Sequence, residues 1–221
     1  MRLSLPAATL QLPWLSQLLP RVGLLWPLKA AGTMLFMLVF FSAYFAVLEN
    51  PLGPVQRMPL TAIDHWLPFT PLAFPFYVSL WVYVSLAPAL IGQLQALLRF
   101  GVWMGLMCVL CLAIFWLWPT AVPDPGIDWS AYPQMAIIKS VDGSGNACPS
   151  LHVASALFAA LWFGQLLRQM RAPPWLRLLN WILCLLILWS TIATRQHVAL
   201  DVVAGALVGV LFGLVSRPAK R

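Results

Sequence analysis

Acidic side chains are scarce in this chain: six Asp and Glu among 221 residues, against thirteen Lys and Arg, with charged residues at only 9%. A soluble domain carries about a quarter charged residues. With apolar residues at 62% and a mean hydropathy of +0.86, the chain lacks the polar surface that a water-facing fold needs. The membrane class follows from that shortage. No basic run with interleaved aromatics is present, so the net charge of +7 reads as flanking charge of membrane spans and not as a nucleic-acid footprint. The four cysteines form no disulfide framework. Cys108-x-x-Cys111 has a redox or zinc spacing, but it lies inside an apolar run, where thiols act as small hydrophobes. The first 29 residues, interrupted by Pro6, Pro13, Pro20 and Pro27, lack the charged–apolar–cleavage pattern of a signal peptide.

What is present is a set of long apolar runs. A spanning helix needs about 20 mostly apolar residues, and six runs meet that need: Ala30–Leu48, Pro71–Ile91, Phe100–Trp118, Pro149–Leu167, Leu176–Ala193 and Val198–Val215. Pro75 and Pro88 are expected to kink or shorten the second. The expected fold is an all-α polytopic bundle of about six transmembrane helices, residues 30–217. Residues 1–29 form an interfacial segment whose Leu10–Trp26 stretch is amphipathic. With the amino terminus inside, 10 of the 13 basic residues fall on the inner side and 3 (Arg57, Lys139 and Arg195) outside. This positive-inside bias puts both termini in the cytoplasm. The acids divide the other way: Glu49, Asp64, Asp124, Asp128 and Asp142 lie in or beside outer loops, and Asp201 begins the sixth run. His65, His152 and His197 share that side, so the chemistry is expected there.

Two stretches carry the chemistry. In Asp142-Gly-Ser-Gly-Asn-Ala-Cys-Pro-Ser-Leu-His152 a Gly-rich turn runs into Pro149 and then into an apolar helix. Proline suits the first helical position, which leaves the N–H groups of Ser150, Leu151 and His152 free in the first turn. Free N–H groups at the positive end of a helix make an anion site, though a plain capped helix reads the same way. In the second stretch, Thr194 to Gly205, His197 and Asp201 stand at i and i+4, on one helix face about 6 Å apart. Asp201 can accept a hydrogen bond from one ring nitrogen of His197 and raise the basicity of the other. A carboxylate at the head of an apolar run is costly and reads as functional, with a structural His–Asp cap as the bland alternative. Arginine and amide groups bind phosphoryl oxygens. Of two histidines, one can attack phosphorus while the other protonates the leaving oxygen. His65, beside Trp66, reads as an interfacial residue more than as a site residue.

Pro149-Ser150-Leu151-His152 followed by His197-x-x-x-Asp201 resembles the type 2 phosphatidic acid phosphatase superfamily. The branch it looks most like holds fungal inositol phosphorylceramide synthase and its bacterial relatives, with sphingomyelin synthase further off. The resemblance implies metal-independent phosphotransfer through a phosphohistidine, with no cofactor. It makes His197 the nucleophile, Asp201 its orienting partner and His152 the general acid, while Arg195 and the amides near Ser150 hold the phosphoryl oxygens. The chain departs from the family's pattern twice. The usual Lys-and-Arg first motif ending in Arg-Pro is absent, leaving Lys139, Arg57 and Asn146 as substitutes. The arginine of the third motif also stands two residues before the histidine, not six. Both departures favour the synthase-like branch, so transfer of a lipid headgroup stands beside hydrolysis. The implied partners are a lipid phosphate and the bilayer itself, with no oligomeric state specified. The implied place is a bacterial inner membrane, with the site facing the periplasm or exterior. A non-catalytic lipid transporter using the same basic pocket is the competing class, and it needs no histidine nucleophile. An intramembrane serine protease built on Ser150 is disfavoured, because no Gly-x-Ser-x-Gly turn occurs. Zinc is disfavoured too, since three histidines with His197 paired leave no four-ligand cage.

Overall fold

The computed structural model describes residues 4–142 and 145–217. Helices follow one another as α1 (Ala7–Leu10), α2 (Leu18–Gly23), α3 (Trp26–Glu49), α4 (Ala62–Trp66), α5 (Phe74–Leu90), α6 (Leu94–Leu117), α7 (Pro133–Asp142), α8 (Leu151–Gln169), α9 (Pro174–Ala193) and α10 (Ala199–Val215). This is an all-α polytopic membrane bundle. Among the described residues five helices, α5 taken together with the turn Pro71–Ala73 that precedes it, are long and apolar enough to cross a bilayer. The sixth, α10, is an apolar helix of 17 residues.

The six expected runs each become a helix, with shifted ends. α3 starts at Trp26 and α6 at Leu94, four and six residues before the apolar runs suggest. Hydropathy marks where apolar side chains begin, whereas a helix continues through its flanking polar turn. Residues 26–29, placed with the interfacial segment on sequence, are therefore the first turn of α3. Pro75 falls in the first turn of α5, where its missing N–H breaks no helical bond. Pro88 lies in the last turn, and α5 ends two residues later. Arg2, Lys220 and Arg221 of the expected inner cations, and Gly143 and Ser144 of the Gly-rich turn, lie outside the described residues.

α8 is the hub. Val153, Ala154, Ala156, Ala159 and Ala160 are fully buried in it, and α5, α9 and α10 pack around it. Its closest neighbour is α10, whose Gly205, Gly209 and Gly213 form a small-residue stripe at a spacing of four. A Cβ at Gly205 would collide with the Ser150 carbonyl, one at Gly209 with the Ala154 carbonyl, and one at Gly213 with the Leu161 side chain at 2.6 Å. Small residues let helix backbones approach where lipid supplies no hydrophobic drive between helices. Polar pairs add to the join. Trp162 Nε1 donates to Ser216 Oγ at 2.7 Å, and the Tyr83 hydroxyl donates to Asn180 Oδ1 at 2.7 Å.

α3 contrasts with this packing. Its one buried residue is Lys29, and it leans chiefly on α6. Between α3, α5, α6 and α8 lies a cavity of about 710 Å³. At the end near the C-terminus of α5, Arg21 Nη1 donates to Leu90 O (3.2 Å) and Lys29 Nζ to Ala89 O (2.8 Å). Two cations thus satisfy carbonyls at the C-terminus of α5. Gln17 and Arg21 face inward there while Leu15, Leu19 and Val22 point out. At the opposite end, β1 (Gln56–Arg57) and β2 (Thr120–Ala121) pair in parallel. Thr120 then accepts from Ala147 N–H at 3.1 Å and, through Oγ1, from Cys148 N–H at 2.9 Å. That lacing holds the loop leading into α8.

Candidate active site

Two helix starts form the centre of the site. α8 begins at Leu151, not at Pro149. Ser150 is its N-cap, and the buried hydroxyl accepts from Val153 N–H at 3.3 Å. Of the three amides expected to be free, Ser150 N–H donates to Asp201 O at 3.0 Å. The N–H groups of Leu151 and His152 have no acceptor among the described residues. That same Ser150–Asp201 bond ties the start of α8 to the start of α10, beside the Gly205 contact, so both motif stretches sit on one rigid join.

α10 begins at Ala199, after an N-cap at Val198. His197 therefore precedes the helix and does not share a helix face with Asp201, as the i, i+4 spacing implies. The pair forms across the cap instead. Asp201, in the first turn, reaches back so that Oδ2 accepts from Val198 N–H (3.1 Å) and meets His197 Nδ1 at 3.4 Å. The His–Asp separation is longer than the optimum of about 2.9–3.0 Å, and such bonds commonly tighten when substrate binds. The His197 side chain is 11% exposed and that of Asp201 is wholly buried. With Nδ1 turned to Asp201, Nε2 of His197 is left for chemistry.

His152, in the first turn of α8, stacks on Tyr77 of α5 with ring centroids 4.2 Å apart and planes 14° apart. His152, His197, Tyr77 and Asn146 line the end of the cavity away from Lys29. Asn146 takes a left-handed backbone (φ 48°) and donates through Nδ2 to Tyr44 O at 3.2 Å. Arg195 is also left-handed (φ 57°). Non-glycine residues in this region store strain that tends to gather at functional sites. Arg195 is not aimed into the cavity. Its Nη1 and Nη2 donate to Asp64 O and Leu67 O, each at 2.7 Å. Lys139 Nζ donates to Arg195 O at 2.9 Å and lies 5.5 Å from the Trp129 ring centre. The structure thus brings His152, His197, Asp201 and Asn146 together, uses Ser150 as a cap, and puts Arg195 and Lys139 in a tier behind them.

Besides Tyr77, two residues here escape the sequence reading. Asp64 is buried. Its Oδ1 accepts from Ala199 N–H at 2.8 Å, while Oδ2 accepts from Thr61 N–H and Oγ1 at 2.7 and 2.8 Å. One carboxylate thus caps both α4 and α10. The Thr61-x-x-Asp64 spacing of a capping box was the available signal for the first role; nothing local announces the second. Gln196 is the other: it is 3% exposed with neither side-chain polar atom paired. Four of the five buried side-chain polar atoms without a partner among the described residues belong to His152, Gln196 and Asp201. Each such atom costs about 1–3 kcal/mol, so stability alone does not account for their clustering. Cys148 lies beside them, and burial together with the Asp201 charge pushes its thiol up to about 11. His65 and Arg57 are exposed, and His65 lines no part of the cavity. Cys108 and Cys111 are buried packing residues of α6. Among the described residues, no three His, Cys, Asp or Glu side chains converge as a metal-ligand set.

Residues 96–220, more than half of the chain, match the family model of the PAP2 superfamily. The chain belongs to the PAP2 superfamily. No curated protein and no solved structure matches it. The superfamily covers membrane phosphatases and phosphotransferases. Within this PAP2 chain the matched stretch holds His152, His197 and Asp201 and spans nearly all of α6 to beyond α10. Tyr77, Asp64 and α3 precede it.

Proposed function

We propose that this PAP2 chain is a metal-independent lipid phosphate phosphatase or phosphotransferase, working through a phosphohistidine on its outer face. The observation that carries the reading is the pairing of His197 with buried Asp201, opposite His152, at the mouth of a deep apolar cavity. In the first step His197 Nε2 attacks phosphorus. The P–O bond to the lipid breaks, and the leaving oxygen takes a proton from His152. Asp201 holds Nδ1–H and stabilises the charge that develops on the ring. In the second step water, or the hydroxyl of an acceptor lipid, attacks the phosphohistidine and gives its proton to His152. Water yields phosphate; a lipid hydroxyl yields a transferred headgroup. The unpaired N–H groups of Leu151 and His152 suit the phosphoryl oxygens. Arg195 and Lys139 supply positive charge from behind the site and, with Asp64, hold the His197 loop in place.

The missing Lys-and-Arg motif favours the synthase-like branch, with Asn146 in the cavity wall in place of a cation. The test is purified protein against a panel of lipid phosphates and diphosphates, following free phosphate and transferred headgroup in excess EDTA. Turnover that survives EDTA is the expected result. Turnover lost to EDTA and restored by magnesium or zinc contradicts the histidine mechanism. No turnover with any substrate favours the transporter class.

The positive-inside bias places this face outside a cell membrane, which for a bacterial host is the periplasmic side. Trp66 is 84% exposed beside the site, and Arg171 is exposed at the other end of α8. Trp66→Cys is expected to react with an impermeant thiol reagent in intact cells and Arg171→Cys is not; the reverse pattern puts the chemistry inside.

A further inference from the structure

The cavity is far deeper than a phosphate needs. From His152 and His197 at the outer end it reaches Lys29 near the inner end of α3, where Lys29 Nζ is tied to Arg21 O and Ala89 O. On α5 it runs from Tyr77 to Pro88, eleven residues or about 16 Å at the α-helical rise. On α3 it runs from Phe45 to Leu28, about 25 Å by the same measure. Between those ends the wall is almost wholly apolar.

Two glycines stand in that wall, Gly32 on α3 and Gly101 on α6. A Cβ on either would meet no atom within 4 Å. They share a level. A Cβ built at Gly105 comes 3.9 Å from the Phe36 ring, α3 and α6 run the same way, and Gly32 and Gly101 each lie one turn below that contact. Gly32 is twelve residues from Tyr44, about 18 Å below the histidines' end. No helix-packing demand explains either glycine, unlike the stripe on α10.

We propose that this cavity takes one long hydrocarbon chain of the substrate, threaded down from the phosphoryl group at His197, and that Gly32 and Gly101 keep its lower third open. The inference rests on the phosphotransfer reading above and adds a chain-length preference with named determinants. The occupant follows from continuity: the apolar space opens directly onto the catalytic histidines, so a chain covalently joined to the phosphate is delivered into it.

The test compares hexyl phosphate, octadecyl phosphate and nitrophenyl phosphate with wild type, Gly32→Trp, Gly101→Trp and, as a bulky control on the lipid-facing side of α3, Leu38→Trp. Leu38 is 67% exposed and lines no part of the cavity. Each cavity variant is expected to lower kcat/KM for octadecyl phosphate about tenfold or more, and to leave hexyl and nitrophenyl phosphate within about twofold. The control is expected to change none of them. Unaltered chain preference in both cavity variants, or an equal loss in the control, overturns the proposal and leaves the space to bulk lipid. If the tryptophan variants do not accumulate, Gly32→Leu and Gly101→Leu carry the same comparison. A wild-type experiment needs no variant. Octadecyl phosphate with a photoreactive group at the chain end is expected to label α3 near Gly32 and α6 near Gly101. Labelling of the outward faces of α9 instead contradicts the threading. Wild type inactive on all three phosphates strikes the phosphotransfer reading, and the photolabel still decides where the chain lies.

Discussion

α10 and α3 are both apolar helices of the same bundle, yet they are built for opposite tasks. α10 presses glycine against the carbonyls of α8, so the two helix starts that carry His152 and Asp201 are held together by backbone contact. α3 has large apolar side chains and stands off, leaving the cavity beneath the histidines. On the proposed reading, the chemistry rests on a rigid join and the lipid chain on a loose one. The family match takes in both helix starts and most of α6, and begins after α3 and α5.

The sharpest way to break that contrast is at the join itself. His197→Ala removes the proposed nucleophile and is expected to abolish turnover with every substrate, a loss of about a thousandfold or more. Phosphate release in detergent measures it. His152→Ala comes next. Loss of a general acid is expected to cost about 100- to 10,000-fold with a lipid alkoxide leaving group. The effect is much smaller with nitrophenolate, which departs without a proton. An equal loss with both leaving groups removes His152 from that role.

Positioning gives a smaller effect. Asp64→Asn keeps the size of the side chain that caps α10 but weakens its bonds to Ala199 and Thr61. About a tenfold fall in kcat with little change in KM is expected, since a charge-assisted cap is worth roughly 1.5–3 kcal/mol. The smallest effect is in stability and has opposite signs in the two regions. Gly209→Ala overpacks the α8–α10 seam and is expected to lower stability by about 1–3 kcal/mol. Gly105→Ala, whose Cβ meets only the Phe36 ring edge at 3.9 Å, is expected to be neutral or to stabilise by about 0.5–1 kcal/mol. Thermal unfolding of both in one detergent checks the pair, and equal shifts would erase the distinction between rigid and loose sides.

Much of this was legible in the sequence because hydropathy and spacing are local signals. Six apolar runs gave six helices, and the two histidines with Asp201 converge as their order along the chain implies. What was not legible depended on where separate segments meet. The i, i+4 spacing of His197 and Asp201 reads as one helix face, but the backbone turns at Val198 and the pair closes across a cap. Arg195 reads as a phosphate ligand, yet its guanidinium is held by carbonyls of a loop about 130 residues earlier. Asp64 reads as one more outer-loop acid, yet it accepts from Ala199 N–H at the start of α10. The glycine stripe of α10 went unread, because its meaning depends on α8 packing against it.

The central claim is that His197 takes the phosphoryl group while His152 only moves a proton. Acid-quench trapping with a phosphate-labelled substrate tests it most directly. The account predicts a labelled phosphoenzyme in wild type and in His152→Ala, and none in His197→Ala. Label that persists in His197→Ala and vanishes in His152→Ala would contradict it, exchange the two roles, and leave Asp201 without a nucleophile to orient.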